Sequence, residues 1–244
     1  MQATGGARRT RMRQTAFARA TAAGFGTLAR LGGRTPLASP MFHGVERVAD
    51  LPYVQNALPE QHLDVYRPRG ATGPMPAIVY VHGGGFRALS KETHWIMGLA
   101  FARAGYVVFN ISYRLAPRNR FPAAWQDTAA AWSWVLEHGE EWGADLSRLA
   151  VAGESAGANL VSALTVMTTT RRPEAWARPV FEAGIVPRAA LPACGILQVS
   201  DTERFGRRRL LPFYIRDVIE DIPVTVLPRD SARARLADPL LILE

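Results

Sequence analysis

Lysine and cysteine are nearly missing from this 244-residue chain, which holds one of each, Lys91 and Cys194. A lone cysteine cannot close an intrachain disulfide, and no Cys/His cluster has metal-ligand spacing. A disulfide scaffold and a structural zinc site are therefore both excluded from the expectation. No run of 18 apolar residues occurs, so no membrane-spanning helix is expected. Acidic residues are absent from positions 1–40, where seven arginines stand: Arg8, Arg9, Arg11, Arg13, Arg19, Arg30 and Arg34. The other 22 basic residues face 21 acidic ones, so the net charge of +8 is a tail property and not a stripe across the folded body. Nucleic acid is not an expected partner. Histidine is scarce and one-sided: His43, His62, His82, His94 and His138 are all of it.

Hydrophobic residues make up 48% of the chain, enough for one sizeable core. Gly32, Gly33, Pro36 and Pro40 loosen the backbone and divide a basic N-terminal arm or cap (1–40) from a body (41–244). The arm is expected to be helical and to pack on the body through Phe17, Phe25, Leu28 and Leu31. Its Arg-rich, acid-free composition also resembles an organelle transit peptide. The expected location is the cytoplasm, or another compartment if the arm is a targeting segment.

Residues 60–68 alternate polar and apolar as an outer strand would. Residues 76–82, 106–112 and 148–152 are short apolar runs that read as buried strands, and 192–199 reads as one more. Helical spacing covers 92–104, with an apolar face of Trp95, Ile96, Leu99 and Ala100. Further helices run from Pro122 to about Gly139 and over 156–168, and 207–222 reads as an amphipathic lid element. Strands alternating with helices imply an α/β fold with a mostly parallel sheet covered on both faces. Ligands of such sheets bind at the carboxyl ends of the strands.

Two glycine motifs begin where a strand ends. Gly153-Glu154-Ser155-Ala156-Gly157 is a G-x-S-x-G pattern. A serine nucleophile must project from a sharp strand-to-helix turn, and the crowded flanks need minimal side chains. His82-Gly83-Gly84-Gly85-Phe86 is the second. A tetrahedral oxyanion needs several backbone N–H donors, and glycines let the backbone approach it. The expected donors are Gly84, Gly85 and Ala156, with Gly83 shaping the turn. A phosphate cradle is disfavoured, because the GxxxxGK[ST] pattern is absent. His82 reads as a structural hydrogen-bonding residue.

Together these motifs resemble the hormone-sensitive-lipase-like group of α/β-hydrolases, the bacterial family IV esterases. The segment Ser112-Tyr113-Arg114-Leu115-Ala116-Pro117, with Phe121-Pro122-Ala123-Ala124 and Asp127, is similar to the group's segment between oxyanion loop and nucleophile. The chain departs at Arg118, where the group often has an acid, and at Glu154, where it commonly has Asp. Glu154 reads as a subgroup difference or as an acid supporting the serine from behind.

The resemblance implies a serine carboxylic-ester hydrolase acting on short to medium acyl esters, with no metal or cofactor and a small-molecule ester as partner. It also implies an order of Ser, then acid, then His. No histidine follows Ser155. Asp238-Pro239-Leu240 is superficially similar to the group's acid motif, but an apolar run follows it, so 236–243 reads as the segment before a missing strand. The expectation is a hydrolase sheet lacking its last strands and impaired in activity. The alternative is a non-catalytic small-molecule-binding protein on the same fold. Oligomeric state leaves no mark on the sequence.

Overall fold

The computed structural model describes residues 24, 26–29, 31–201, 226–227 and 235–243. Six strands, β1 (Val45–Pro52), β2 (His62–Pro68), β3 (Met75–Val81), β4 (Val107–Ile111), β5 (Ala144–Glu154) and β6 (Ala190–Ala193), form one sheet in the order β1-β2-β4-β3-β5-β6. Among the described residues after position 40 the α-helices are α1 (Trp95–Arg103), α2 (Ala123–His138), α3 (Ala156–Thr169), α4 (Arg178–Glu182) and a single turn, α5 (Leu240–Leu243).

The sheet is mixed. β1–β2 and β2–β4 pair antiparallel, while β4–β3, β3–β5 and β5–β6 are parallel. The parallel half carries both glycine motifs. β3 is buried on both faces from Ala77 to Val81, as its unbroken apolar run requires. Ala77, Val79 and Val81 pack with Trp132 of α2 and Leu160 of α3, while Ile78 and Tyr80 pack with Leu99 of α1. Helices therefore cover both faces. Fully burying a Val, Leu or Ile side chain in this way contributes about 1.5–3 kcal/mol.

Several sequence expectations are corrected. Residues 60–68 do not form an outer strand. β2 lies between β1 and β4, and β1 is the edge. The apparent polar face misleads because Asp64 is fully buried and neutralised by Arg47 and Lys91. Lys91, the single lysine, is itself buried among Asp50, Asp64 and Glu92.

On α1 the buried stripe is Gly98, Leu99 and Ala102, while Ile96 is exposed. Gly98 is what turns the helix: a Cβ there would lie 2.6 Å from the Tyr66 ring of β2.

The strand expected over 192–199 is instead the four-residue β6, and the chain leaves the sheet at Cys194, where φ is +51°. Ile196 and Val199 then bury as irregular core residues. Beyond them Asn159 of α3 donates to the carbonyls of Ile196 (2.7 Å) and Ala237 (2.8 Å), and Asp238 accepts from the amides of Val199 and Ser200.

Among the described residues of 24–40 no strand occurs. Leu28 and Leu31 are exposed and do not dock the arm. One of its contacts is the Trp95 indole, which donates to the Ala29 carbonyl at 3.1 Å and lies against Gly33. Phe17, Phe25 and the 207–222 element fall outside the described residues.

Candidate active site

β5 ends at Glu154 and α3 begins at Ala156, so Ser155 alone makes the turn. Its backbone sits at φ 56°, ψ −113°, outside the regions that L-residues ordinarily occupy. The turn is held on both sides: the Ser155 amide donates to the Ala193 carbonyl at the end of β6 (2.8 Å), and its carbonyl accepts from Asn159 (3.3 Å). The flanking glycines are sterically obligatory. A Cβ at Gly153 would lie 2.7 Å from the Gly157 carbonyl group and from the Val81 oxygen. One at Gly157 would lie 2.0 Å from that same oxygen. Ser155 remains partly accessible at the surface.

The glycine loop leaves β3 directly beside this turn. A Cβ at Gly83 would come within 3.2 Å of the Ser155 Cβ, so the loop meets the elbow there with no room for a side chain. Gly84 and Gly85 both have positive φ, +109° and +61°, and a Cβ at Gly84 would lie 2.0 Å from the Ala88 carbonyl oxygen. The amides of Gly84, Gly85 and Ala156 donate to no acceptor among the described residues. Ala156, at the first position of α3, is fully buried.

A family profile described as the alpha/beta hydrolase fold matches residues 78–241, which contain the whole of this arrangement. The chain belongs to the α/β-hydrolase fold family.

Two mycobacterial proteins are similar to this chain. Esterase LipI of Mycobacterium tuberculosis is 44% identical over 90 residues, covering 36% of this chain and 28% of LipI. Carboxylic ester hydrolase LipN of the same organism is 36% identical over 152 residues, covering 61% of this chain and 39% of LipN. The chain thus spans well under half the length of either. Among solved structures, Esterase B from Lactobacillus rhamnosis superposes with a TM-score of 0.69 at 21% identity, covering 95% of this chain and 72% of that one. A thermostable carboxylesterase from a metagenomic library superposes at 0.65 and 25% identity, covering 92% and 72%.

In this α/β-hydrolase the supporting residues knit loop to elbow. His82 is fully buried, with Nδ1 2.6 Å from the Gly83 carbonyl oxygen. Burial and the neighbouring His94 lower its pKa to about 4, so the ring is neutral at pH 7. Tyr113 stacks on it at 4.3 Å, and its hydroxyl donates to the His82 carbonyl at 2.9 Å. Arg114 clasps the buried Asp127 through its backbone amide (2.8 Å) and guanidinium (2.8–3.0 Å), which fixes the segment carrying Tyr113.

Sequence reasoning placed Glu154 beside the serine but missed its partners, of which two are side chains. His94 Nε2 lies 2.8 Å from Glu154 Oε1, and the Tyr80 hydroxyl donates to Oε2. The available signal was a histidine at the start of an otherwise apolar helix, where its side chain makes no capping bond. Among the described residues no side chain hydrogen-bonds the Ser155 hydroxyl, no group of three His, Cys, Asp or Glu is arranged to hold a metal, and no helix is long and apolar enough to cross a membrane.

Proposed function

We propose that the chain carries the nucleophile and oxyanion loop of a serine carboxylic-ester hydrolase acting on short to medium acyl esters. The observation that carries this is the forced backbone of Ser155 at a strand-to-helix turn, packed against the loop at Gly83. Such strain is retained where a side chain must be presented to a substrate. The names of the similar proteins, esterases and carboxylic ester hydrolases, support the same chemistry.

In this reading the Ser155 oxygen attacks the ester carbonyl and forms a C–O bond. The negative oxygen is received by the amides of Gly84, Gly85 and Ala156. The alkoxide leaves with a proton, and water then cleaves the acyl-serine. His82, Gly83, Tyr113, Gly153, Glu154 and Gly157 support this geometry. The division into an arm (1–40) and a hydrolase body (41–244) belongs to the same reading. So do a small ester as partner, cytoplasmic action, and chemistry that needs no cofactor.

Attack requires a base for the serine proton, and the 244 residues hold no histidine after Ser155. By themselves they should hydrolyse activated esters weakly. Losing a serine hydrolase triad costs roughly 10⁶ in kcat in other proteins, while an oxyanion hole alone retains roughly 10³–10⁴ over water. The hydroxyl of Ser155, free of any side-chain partner among the described residues, favours a second reading: a non-catalytic small-molecule-binding protein.

Hydrolysis of a short-chain nitrophenyl ester separates the two. It is measured for this chain, for Ser155→Ala, and for the chain complemented with the C-terminal part of an esterase relative. Weak turnover lost in Ser155→Ala and raised by complementation supports the esterase. Turnover that Ser155→Ala leaves unchanged in both backgrounds refutes it.

A further inference from the structure

The Glu154 carboxylate gathers donors from three separate places. Oε1 accepts from the Gly83 backbone amide and lies 2.8 Å from His94 Nε2, and Oε2 accepts from the Tyr80 hydroxyl of β3. Glu154 is covalently adjacent to Ser155, and Gly83 opens the glycine loop. One side chain therefore grips both halves of the site.

The opposite edge of the His94 ring favours its protonated form. Nδ1 lies 3.1 Å from the Ser90 carbonyl oxygen and 2.9 Å from Thr93 Oγ1. The Thr93 hydroxyl spends its single proton on the Ser90 carbonyl at 2.7 Å. With the Thr93 proton on that carbonyl both ring nitrogens face acceptors, an arrangement that an imidazole protonated on each nitrogen satisfies. Burial opposes that charge, but Glu154 outweighs it and holds the His94 pKa above its ordinary value. Glu154 is correspondingly low: burial raises it, and His94, Tyr80 and the Gly83 amide outweigh burial. Two further titratable rings face His94: Tyr80 at 6.3 Å, whose hydroxyl is kept protonated by burial, and His82, stacked 5.5 Å away and neutral.

We propose that His94 is a positioning residue for ester hydrolysis: as an imidazolium paired with Glu154 it fixes the Gly83 amide and thereby the distance from the oxyanion loop to Ser155. This rests on the esterase reading above. An oxyanion hole works only if its donors are held within a fraction of an ångström. The Glu154 side chain is 31% exposed, and without its cation only the Gly83 amide and the Tyr80 hydroxyl would hold it against solvent. When pH rises past the His94 pKa the clamp loses its charge, and the loop loses its register on the elbow.

The test combines NMR of the whole chain with hydrolysis. The His94 ring should titrate above pH 6.5, and the Gly83 amide proton should lie far downfield and move with the same midpoint. In His94→Gln, which keeps a donor but no charge, that step at Gly83 should vanish. Residual kcat should then fall about tenfold with KM little changed. Glu154→Gln should do the same, and the double variant should be no worse than Glu154→Gln alone.

A Gly83 amide indifferent to His94→Gln, or fully additive losses in the double variant, overturns the proposal. If that variant does not fold, the unaltered chain decides: a shared midpoint supports the clamp and a flat Gly83 titration removes it. Hydrolysis unaffected by Ser155→Ala defeats the esterase reading separately, because the Gly83 coupling is read without turnover.

Discussion

Gly157 presses against the carbonyl oxygen of Val81, so that a Cβ at position 157 would sit 2.0 Å from it. The first turn of α3 and the last residue of β3 are in backbone contact, and this contact brings the serine turn alongside the glycine loop. Neither backbone can yield, because Val81 is paired on both sides, to Ile111 of β4 and Gly153 of β5. Gly157→Ala should therefore cost about 3 kcal/mol or more, the upper range of overpacking in a filled core. Urea unfolding measures it. A loss below about 1 kcal/mol would show that the turn can relax and that the glycine is not sterically required.

The backbone of Ser155 stores strain that a glycine would not feel. A residue held in so sparsely populated a conformation costs about 1–3 kcal/mol, partly offset in Ser155→Gly by the extra flexibility of glycine in the unfolded chain. The net expectation is a gain of about 1 kcal/mol, a rise in Tm of about 2–4 °C for a chain of this size. Any hydrolysis that depends on the Ser155 hydroxyl should disappear in the same variant. A lower Tm in Ser155→Gly would contradict the strained elbow.

Stability should fall on acidification through two groups in successive windows. Burial, with His94 beside it, lowers the folded-state pKa of His82 from 6.5 to about 4. Between those values the unfolded chain takes up a proton that the folded chain refuses, so stability drops as pH falls from about 6.5 towards 4. The slope is at most about 1.4 kcal/mol per pH unit. Burial raises the Glu92 carboxyl, but hydrogen bonds from Lys91 and Ser90 outweigh it and bring it from 4.5 to about 2. The stability from Glu92 is thus present above 4.5 and lost as pH falls towards 2. His94, raised in the folded state, has the opposite sign and is lost only as pH rises past its folded value. Urea midpoints at pH 6, 5.2 and 4.5, all below the range in which His94 loses its proton, should decline steadily, with the first part of the decline flattened in His82→Asn. A level profile between pH 6.5 and 4.5 would rule out a buried neutral His82.

Much of the site was legible before any coordinate. A serine flanked by glycines at both second neighbours, and three successive glycines after a strand, are local demands on backbone shape. Residues adjacent in sequence must satisfy such demands, and the apolar runs of β3, β4 and β5 follow in the same way from burial on both faces. What only the tertiary structure decided are the pairings between distant residues. His94 meets Glu154 sixty positions away because α1 starts behind the loop that leaves β3. β2 is interior because β1 pairs along its outer side and β4 along its inner one, and because Arg47 and Lys91 make its buried Asp64 tolerable. The inward face of α1 was decided by a glycine that admits the Tyr66 ring. Side-chain type and spacing determine what a segment can become locally. Which charge neutralises which, and which face turns inward, depends on strand order and close packing, and these exist only once the chain has folded.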